Sequence, residues 1–287
     1  MTKILVTGAT GNVGGQVVAE LRDRGAKVRA FVRDPRRAAE RLGGDVELAV
    51  GDFADPASVR RALQGVDRVF LACADGPQAV AHETAVVDAA AGAWVQRIVK
   101  LSTVGAEVGS PMMFADSHAR VEEHLRTCPV PSVVLNAAFF MSNLFESAGT
   151  IRQTGQIFVP AGEAKIAMID PRDVAAAVAV TLLDDGHDGR AYVLTGPEAI
   201  TYAEVAAHLS EATGRPVIFV DVPDEAARAG LLESGAPDWF ADTFVVLFGE
   251  LRRGWAAQTT GDVRMLTGRE PRGFADFARD HRAMFLP

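Results

Sequence analysis

The sequence predicts an α/β protein: a doubly wound parallel sheet with a smaller, mostly helical C-terminal lobe. Three observations predict it. Short apolar runs alternate with helical patterns through the first half of the chain. The first run feeds into glycines at 8, 11, 14 and 15, and a helical pattern opens at Asn12. Beyond Gly196 the alternation gives way to helical patterns with one further strand. Runs this short and this apolar suit strands covered by helices on both faces.

Each element follows from its residues. Lys3–Thr7 is predicted as a strand, and helical spacing runs from Asn12 to about Arg24. Lys27–Val32 reads as a second strand and Pro35–Leu42 as a short helix. Val46–Val50 is the third strand, followed by a predicted helix over Asp55–Leu63 whose first turn Asp55 can cap. Arg68–Cys73 with Gln78–Ala91, and Arg97–Ser102 with Ser117–Arg126, are the fourth and fifth strand–helix pairs. Ser132–Asn136 is predicted as a sixth strand, and Ala191–Leu194 as a seventh after a helix over Pro171–Leu183. Thr201, with Glu204 three residues on, reads as a capping box that opens another helix. Pro216–Val220 is one more expected strand. Pro223–Gly235, Pro237–Gly254 and Phe274–Phe285 are expected helices. The pattern implies a dinucleotide-type domain over 1–150, joined by 166–195, and a small interleaved lobe over 151–287.

Bulk composition narrows the function classes. Of 287 residues, 48% are hydrophobic and 23% charged, an ordinary globular mix. The formal net charge is −8 and no dense basic stripe appears, which disfavours a nucleic-acid partner. No apolar run approaches the ~18 residues of a membrane span. Met1 runs straight into the first strand pattern without a basic, apolar leader, so a cytoplasmic protein is expected. Cys73 and Cys128 make no disulfide framework and read as reduced thiols.

The glycines have a physical reason. Gly8 permits the tight turn after the strand, Gly11 lets backbone approach a pyrophosphate, and Gly14 lets the helix sit close to the sheet. Free N–H groups at the helix start then favour negative charge. At the end of the second strand, where a carboxylate would bind the ribose hydroxyls of NAD, the chain reads VRDPRR. Arg33 stands in that place, with Arg36 and Arg37 following, and a guanidinium fork suits a 2′-phosphate. Asp34, one step along, points the other way. NADP is therefore the expected cofactor. Asp52, past the third strand, is placed to accept from an adenine amino group, with Phe53 packing beside the ring. Ala72 and Cys73, at the end of the fourth strand, let backbone pass close to a ribose.

Together, TGATGNVGG, VRDP, GDFADPASV, LSTVGA, FFMSNL, IDPRDVAAAVAVTLL and TYAEVAAHLSEATGRPV resemble the atypical short-chain dehydrogenase/reductases, in particular the NmrA-like NAD(P)-binding proteins. The order of these motifs covers nearly the whole chain. The resemblance implies a Rossmann-type domain with the cofactor along the sheet's C-terminal edge. There Gly8, Thr10, Gly11, Asn12, Val13, Gly14, Arg33, Asp52, Phe53, Ala72, Cys73, Ser102, His118 and Ala138 would meet it. It implies a substrate held between that edge and the small lobe. The family includes reductases of quinones, enones, imines and ketones, and members that bind NADP as redox sensors without turnover.

Ordinary short-chain reductases carry Tyr-x-x-x-Lys on the helix after the fifth strand. Here the matching place reads MMFADSHARVEEHL, with Phe114 for the tyrosine and His118 for the lysine. A phenyl ring has no proton to give. His118, with an ordinary pKa near 6.5, is left as a donor to the product or a partner of the ribose hydroxyls. The plainer reading is a helix residue bonded to Glu122. Ser102 is the expected polariser of a carbonyl oxygen, with Thr103 on the opposite face. Asp116 either orients His118 or caps the helix. Asn136 and Ala137 replace the Arg-Pro that related proteins carry after the sixth strand.

Phe139, Phe140, Met141 and Asn143 are expected at the mouth of a nicotinamide pocket, where such a wall binds flat apolar ligands. In the small lobe, Trp239 and Phe240 are expected to reach the substrate. Phe240, Phe244 and Phe248 share a helix face, of which one turn would line the pocket while the rest packs as core. Asp170 and Asp173 fit helix capping, and no metal-ligand spacing appears. An NADPH-dependent reductase of an apolar carbonyl, enone or quinone is the leading expectation. A non-catalytic NADP-binding sensor, or an isomerase or lyase with His118 as base, stands beside it. A small apolar substrate is the expected partner, with a homo-oligomer left open.

Overall fold

The computed structural model describes residues 2–287, and Met1 lies outside it. In chain order the strands are β1 (Lys3–Val6), β2 (Lys27–Val32), β3 (Glu47–Val50), β4 (Arg68–Leu71), β5 (Arg97–Thr103), β6 (Ser132–Ala137), β7 (Gln156–Val159), β8 (Ala191–Leu194) and β9 (Ile218–Asp221). The helices of the sheet domain are α1 (Asn12–Asp23), α2 (Pro35–Leu42), α3 (Pro56–Leu63), α4 (Ala79–Gly92) and α5 (Met113–Thr127). After β6 come α6 (Ala148–Thr154), α7 (Pro171–Leu183), α8 (Tyr202–Thr213), α9 (Asp224–Glu233), α10 (Asp238–Arg252), α11 (Asp262–Thr267) and α12 (Phe274–Asp280).

Seven strands form one parallel sheet in the order β3-β2-β1-β4-β5-β6-β8. The chain builds outward from β1 to β3, then crosses back to place β4 on the other side of β1. That reversal opens a crevice beyond the strand ends between β1 and β4, the place where open α/β sheets bind ligands. Thr7 joins the two strands there. Its buried hydroxyl donates to the Ala72 carbonyl at 2.8 Å and accepts from the Ala72 N–H at 2.9 Å.

The central strands are apolar because both faces are covered. On one face Ile4, Val6, Phe70 and Val99 pack against α1 and α7; on the other, Leu5, Val69, Leu71 and Ile98 pack against α3, α4 and α5. Each such side chain, fully buried, contributes about 1.5–3 kcal/mol. A separate core, with Met141, Leu144, Ile157, Phe248, Phe274 and Phe285 among its members, lies in the second lobe around the β7–β9 pair. This core begins at Met141, ahead of the boundary at residue 150 read from the sequence. Asp34, Asp55, Asp170 and Thr201 cap their helices with side-chain oxygens, and Glu204 closes the capping box with Thr201.

Two local expectations are corrected and one unassigned segment is filled in. Helix α5 starts at Met113 rather than Ser117, because Met112 and Ala115 are buried and draw the first turn against the sheet. The segment after β6 is a 3₁₀ turn over Met141–Ser147 that runs into α6, ending at Gly155 in the left-handed conformation. The expected helix over Phe274–Phe285 stops at Asp280 and continues as a 3₁₀ turn over Arg282–Met284. No helix among the described residues is long and apolar enough to cross a membrane.

Candidate active site

The glycine loop leaves β1 with Gly8 at φ +61°, a left-handed conformation that favours glycine. A Cβ on Gly14 would lie 2.1 Å from the Gly8 carbonyl oxygen, so the start of α1 can press on the loop only without a side chain there. No side chain caps the first turn of α1, whose N-cap is Gly11. Its first N–H groups are thus without a side-chain partner, the arrangement that favours an anion. The Asn12 amide donates to the Ser142 hydroxyl, tying this loop to the 3₁₀ turn after β6.

At the end of β2, Arg33 is exposed and has no carboxylate partner among the described residues, while Asp34 accepts through Oδ1 from the N–H groups of Arg36 and Arg37. The nearby acid is committed to a helix cap and the nearby guanidinium is not. Asp52 accepts from the Ala54 N–H at 2.9 Å, which closes a turn with one oxygen and leaves the other. Phe53 stacks on His82 at 5.7 Å and meets the edge of Phe31 at 5.3 Å. An uncapped helix start, a free guanidinium on the next strand end and a partly exposed ring fit a dinucleotide bearing an extra phosphate.

From this edge a cavity of about 830 Å³ extends into the second lobe. Ala72, Cys73, Ser102, Ala137 and Ala138 border it at the sheet end. Phe114, Phe139, Phe140, Asn143, Trp239 and Phe240, the residues expected to meet substrate, border the same cavity. The division expected along α10 is corrected: Phe240, Phe244 and Phe248 all line the cavity, and Phe248 also packs in the core against Phe139 and Tyr202. Four-residue spacing keeps all three on the face that looks into the cavity. Among the described residues the carboxylates bordering the cavity are Asp75 and Glu146, with Cys73, His118 and Tyr202 as further titratable groups; no Lys or Arg lines it.

Two catalytic expectations change. Ser102, on the cavity border, donates its one hydroxyl hydrogen across to Glu122 Oε1 of α5 at 2.6 Å. With that hydrogen engaged, Ser102 has none left in this arrangement for the carbonyl it was expected to polarise. His118 is bonded not to Glu122 but to Lys100, with Nδ1 2.9 Å from Nζ, and its Nε2 lies 3.8 Å from Asp75 Oδ1. Burial, with the Lys100 charge beside it, holds the imidazole well below its ordinary value. His118 thus stands neutral at the cavity wall, and the expectation of an imidazolium acid near neutral pH is corrected. Asp116 neither orients His118 nor caps α5; it accepts from the Gly109 N–H and from Arg120.

Several partners were not legible. Lys100 is fully buried and paired with Glu83 on α4, Oε2 at 3.1 Å. The signal was present in RIVKLST, a charged residue inside a strand that should be covered on both faces. His82 comes within 4.0 Å of Cys73, a closeness that needs the fold. The Cys73 thiol is nonetheless pushed up to about 11, first by burial and then by the Glu83 carboxylate. It is a wall of the crevice in its thiol form. Asp170 and Asp173 are held by Arg172 and Arg272, as helix-start acids.

The chain matches the NmrA-like family model over residues 1–250. The NAD(P)H azoreductase of Xenophilus azovorans is 36% identical over 282 residues, covering 98% of this chain and 99% of that protein. The (4-alkanoyl-5-oxo-2,5-dihydrofuran-3-yl)methyl phosphate reductase of Streptomyces griseus is 40% identical over 285 residues, 99% of either chain. The structure of the NADPH-dependent quinone oxidoreductase of Escherichia coli complexed with NADPH superposes with a TM-score of 0.87 at 28% identity, over 96% of this chain and 99% of that one. Matched by the family model over most of its length and by relatives along nearly all of it, this protein belongs to the NmrA-like family.

Proposed function

We propose that this NAD(P)H-dependent oxidoreductase uses NADPH to reduce a flat, apolar organic acceptor of the quinone or conjugated enone type. The observation that carries the reading is the aromatic cavity continuous with the sheet edge. It joins Ala72, Ala137 and Ala138 on the cofactor side to Phe139, Phe140, Phe244 and Trp239 on the lobe side. The α1 amides hold the diphosphate and Arg33 the 2′-phosphate, while Phe53 and Asp52 receive the adenine end. When bound, the nicotinamide supplies the hydride. The chain's own contribution is position: the Phe wall sets a planar acceptor against the sheet edge and keeps water from it.

Phe114 supports acceptors that need little acid help at the moment of hydride transfer, since no tyrosine hydroxyl stands there. The charge of the lining narrows the class further. With Asp75 and Glu146 as its charged groups, the cavity offers no counter-ion to a phosphate or carboxylate on the substrate. Neutral acceptors, and cationic ones, suit it. Relatives named for azo compounds and quinones are consistent with that choice, whereas the Streptomyces griseus relative is named for a phosphate ester, a group for which this lining holds no Lys or Arg.

The test is NADPH oxidation by the purified chain over a panel of neutral quinones and enones, each matched by an analogue carrying a carboxylate. Turnover of several neutral members and at least about ten-fold lower kcat/KM for the anionic analogues is expected, from the cost of an unpaired buried charge. Tight NADPH binding with no oxidation anywhere in the panel would overturn the reading in favour of a cofactor sensor.

A further inference from the structure

We propose that Lys100, held by Glu83, is a positioning residue that fixes the His118 ring with its hydrogen on Nε2, so that the cavity meets a neutral hydrogen-bond donor at a set place. The proposal rests on the reductase reading for what the donor acts upon, but the state of the ring is a property of the chain alone.

Lys100 lies at the middle of β5, with a side chain that has no exposed surface. A buried ammonium is strongly unfavourable without partners, so its surroundings are informative. Three groups from three elements meet it: Glu83 Oε2 at 3.1 Å from α4, His118 Nδ1 at 2.9 Å from α5, and the Leu101 carbonyl from β5 itself. An ammonium has three donors and no acceptor, so every one of these partners must accept. Nδ1 accepts only when it carries no hydrogen. The neutral imidazole then holds its hydrogen on Nε2.

The rest of the surroundings leave that hydrogen available. Asp75, on the loop after β4, is 3.8 Å from Nε2, beyond a hydrogen bond. Glu122, one turn along α5, is engaged by Ser102 and Arg126. Glu83 faces the ring only through Lys100, and His82 is turned to Phe53 and Cys73. The Nε2–H therefore faces the cavity that His118 borders. An acceptor oxygen gaining negative charge there is stabilised by a fixed neutral dipole that needs no reorganisation. Phe114, one turn earlier on α5, supplies shape at the place where the tyrosine hydroxyl is missing.

The test is a side-chain nitrogen–proton correlation spectrum of the full chain labelled with ¹⁵N-histidine, followed from pH 8 to about pH 5, the range in which an ordinary histidine titrates. His118, assigned by its loss in His118→Gln, is expected as the Nε2–H form with no protonation across that range. The hydrogen on Nδ1, or a charged ring at neutral pH, would overturn the proposal. A double variant, Lys100→Met with Glu83→Gln, removes both charges and leaves no buried ion alone. In it Nδ1 loses its donor, and His118 is expected to populate the Nδ1–H form beside the Nε2–H form. Turnover of the best quinone or enone should fall on the order of ten-fold, with KM for NADPH retained. A ring held wholly as the Nε2–H form in the double variant would also overturn the proposal. Should the double variant fail to fold, the wild-type spectrum still decides. Absence of turnover would count against the reductase reading and leave the ring's state untouched.

Discussion

At the scale of single residues, commitments decide roles more than residue types do. Arg33 and Asp34 are neighbours, yet the carboxylate caps α2 and the guanidinium is unpaired. Arg33→Ala is expected to weaken NADPH about ten-fold or more, the worth of a charge-assisted hydrogen bond, and to leave NADH nearly unchanged. Calorimetric titration with both dinucleotides measures it, and equal losses would contradict the assignment. His118 makes a second prediction. Its folded pKa is depressed, so below about 6.5 the unfolded chain takes a proton that the fold refuses. Stability therefore falls as pH falls through that region, by up to about 1.4 kcal/mol per pH unit for the one group. Urea midpoints between about pH 7 and pH 5.5 should drop less in His118→Gln than in the wild type. At this scale the sequence was legible for walls and not for partners. Phe114, Phe139 and Phe140 follow β-α boundaries, whereas the Lys100–His118 and Ser102–Glu122 bonds join residues 18 and 20 apart in sequence that only packing brings together.

At the scale of elements, periodicity and caps carried the reading. Lys27–Val32, Pro35–Leu42, Pro171–Leu183 and Ala191–Leu194 have the bounds that their apolar runs and caps imply. The stretch from Met141 to Val159 did not announce itself, because a 3₁₀ turn, a short helix and a short strand each offer too few residues for a period to emerge. The first helix gives a sharp contrast for mutation. Gly14→Ala puts a methyl 2.1 Å from the Gly8 carbonyl oxygen and is expected to destabilise by about 1–3 kcal/mol, with loss of dinucleotide binding. Gly15→Ala meets only an ordinary contact at 3.7 Å and removes a helix-interior glycine, so it should be neutral or stabilising by up to about 1 kcal/mol. Chemical denaturation of the two variants side by side separates loop contact from helix propensity.

At the scale of the whole molecule, function follows from two cores meeting at one edge. The sheet domain ends its strands in small residues and free amides; the second lobe presents an aromatic helix face opposite them, and the space between them is the cavity. Neither half shows this alone. The sequence places the glycine loop and α10 far apart, and how the lobe closes depends on contacts such as the Phe140–Ile169 and Ile166–Ile200 bridges. The direct measurement is deuterium transfer from NADPH labelled on the nicotinamide ring to a neutral enone turned over by the purified chain. Label bound to carbon in the product, in step with cofactor oxidation, is the expected result. Product without label, or product formed with no cofactor consumed, would contradict hydride transfer across this cavity.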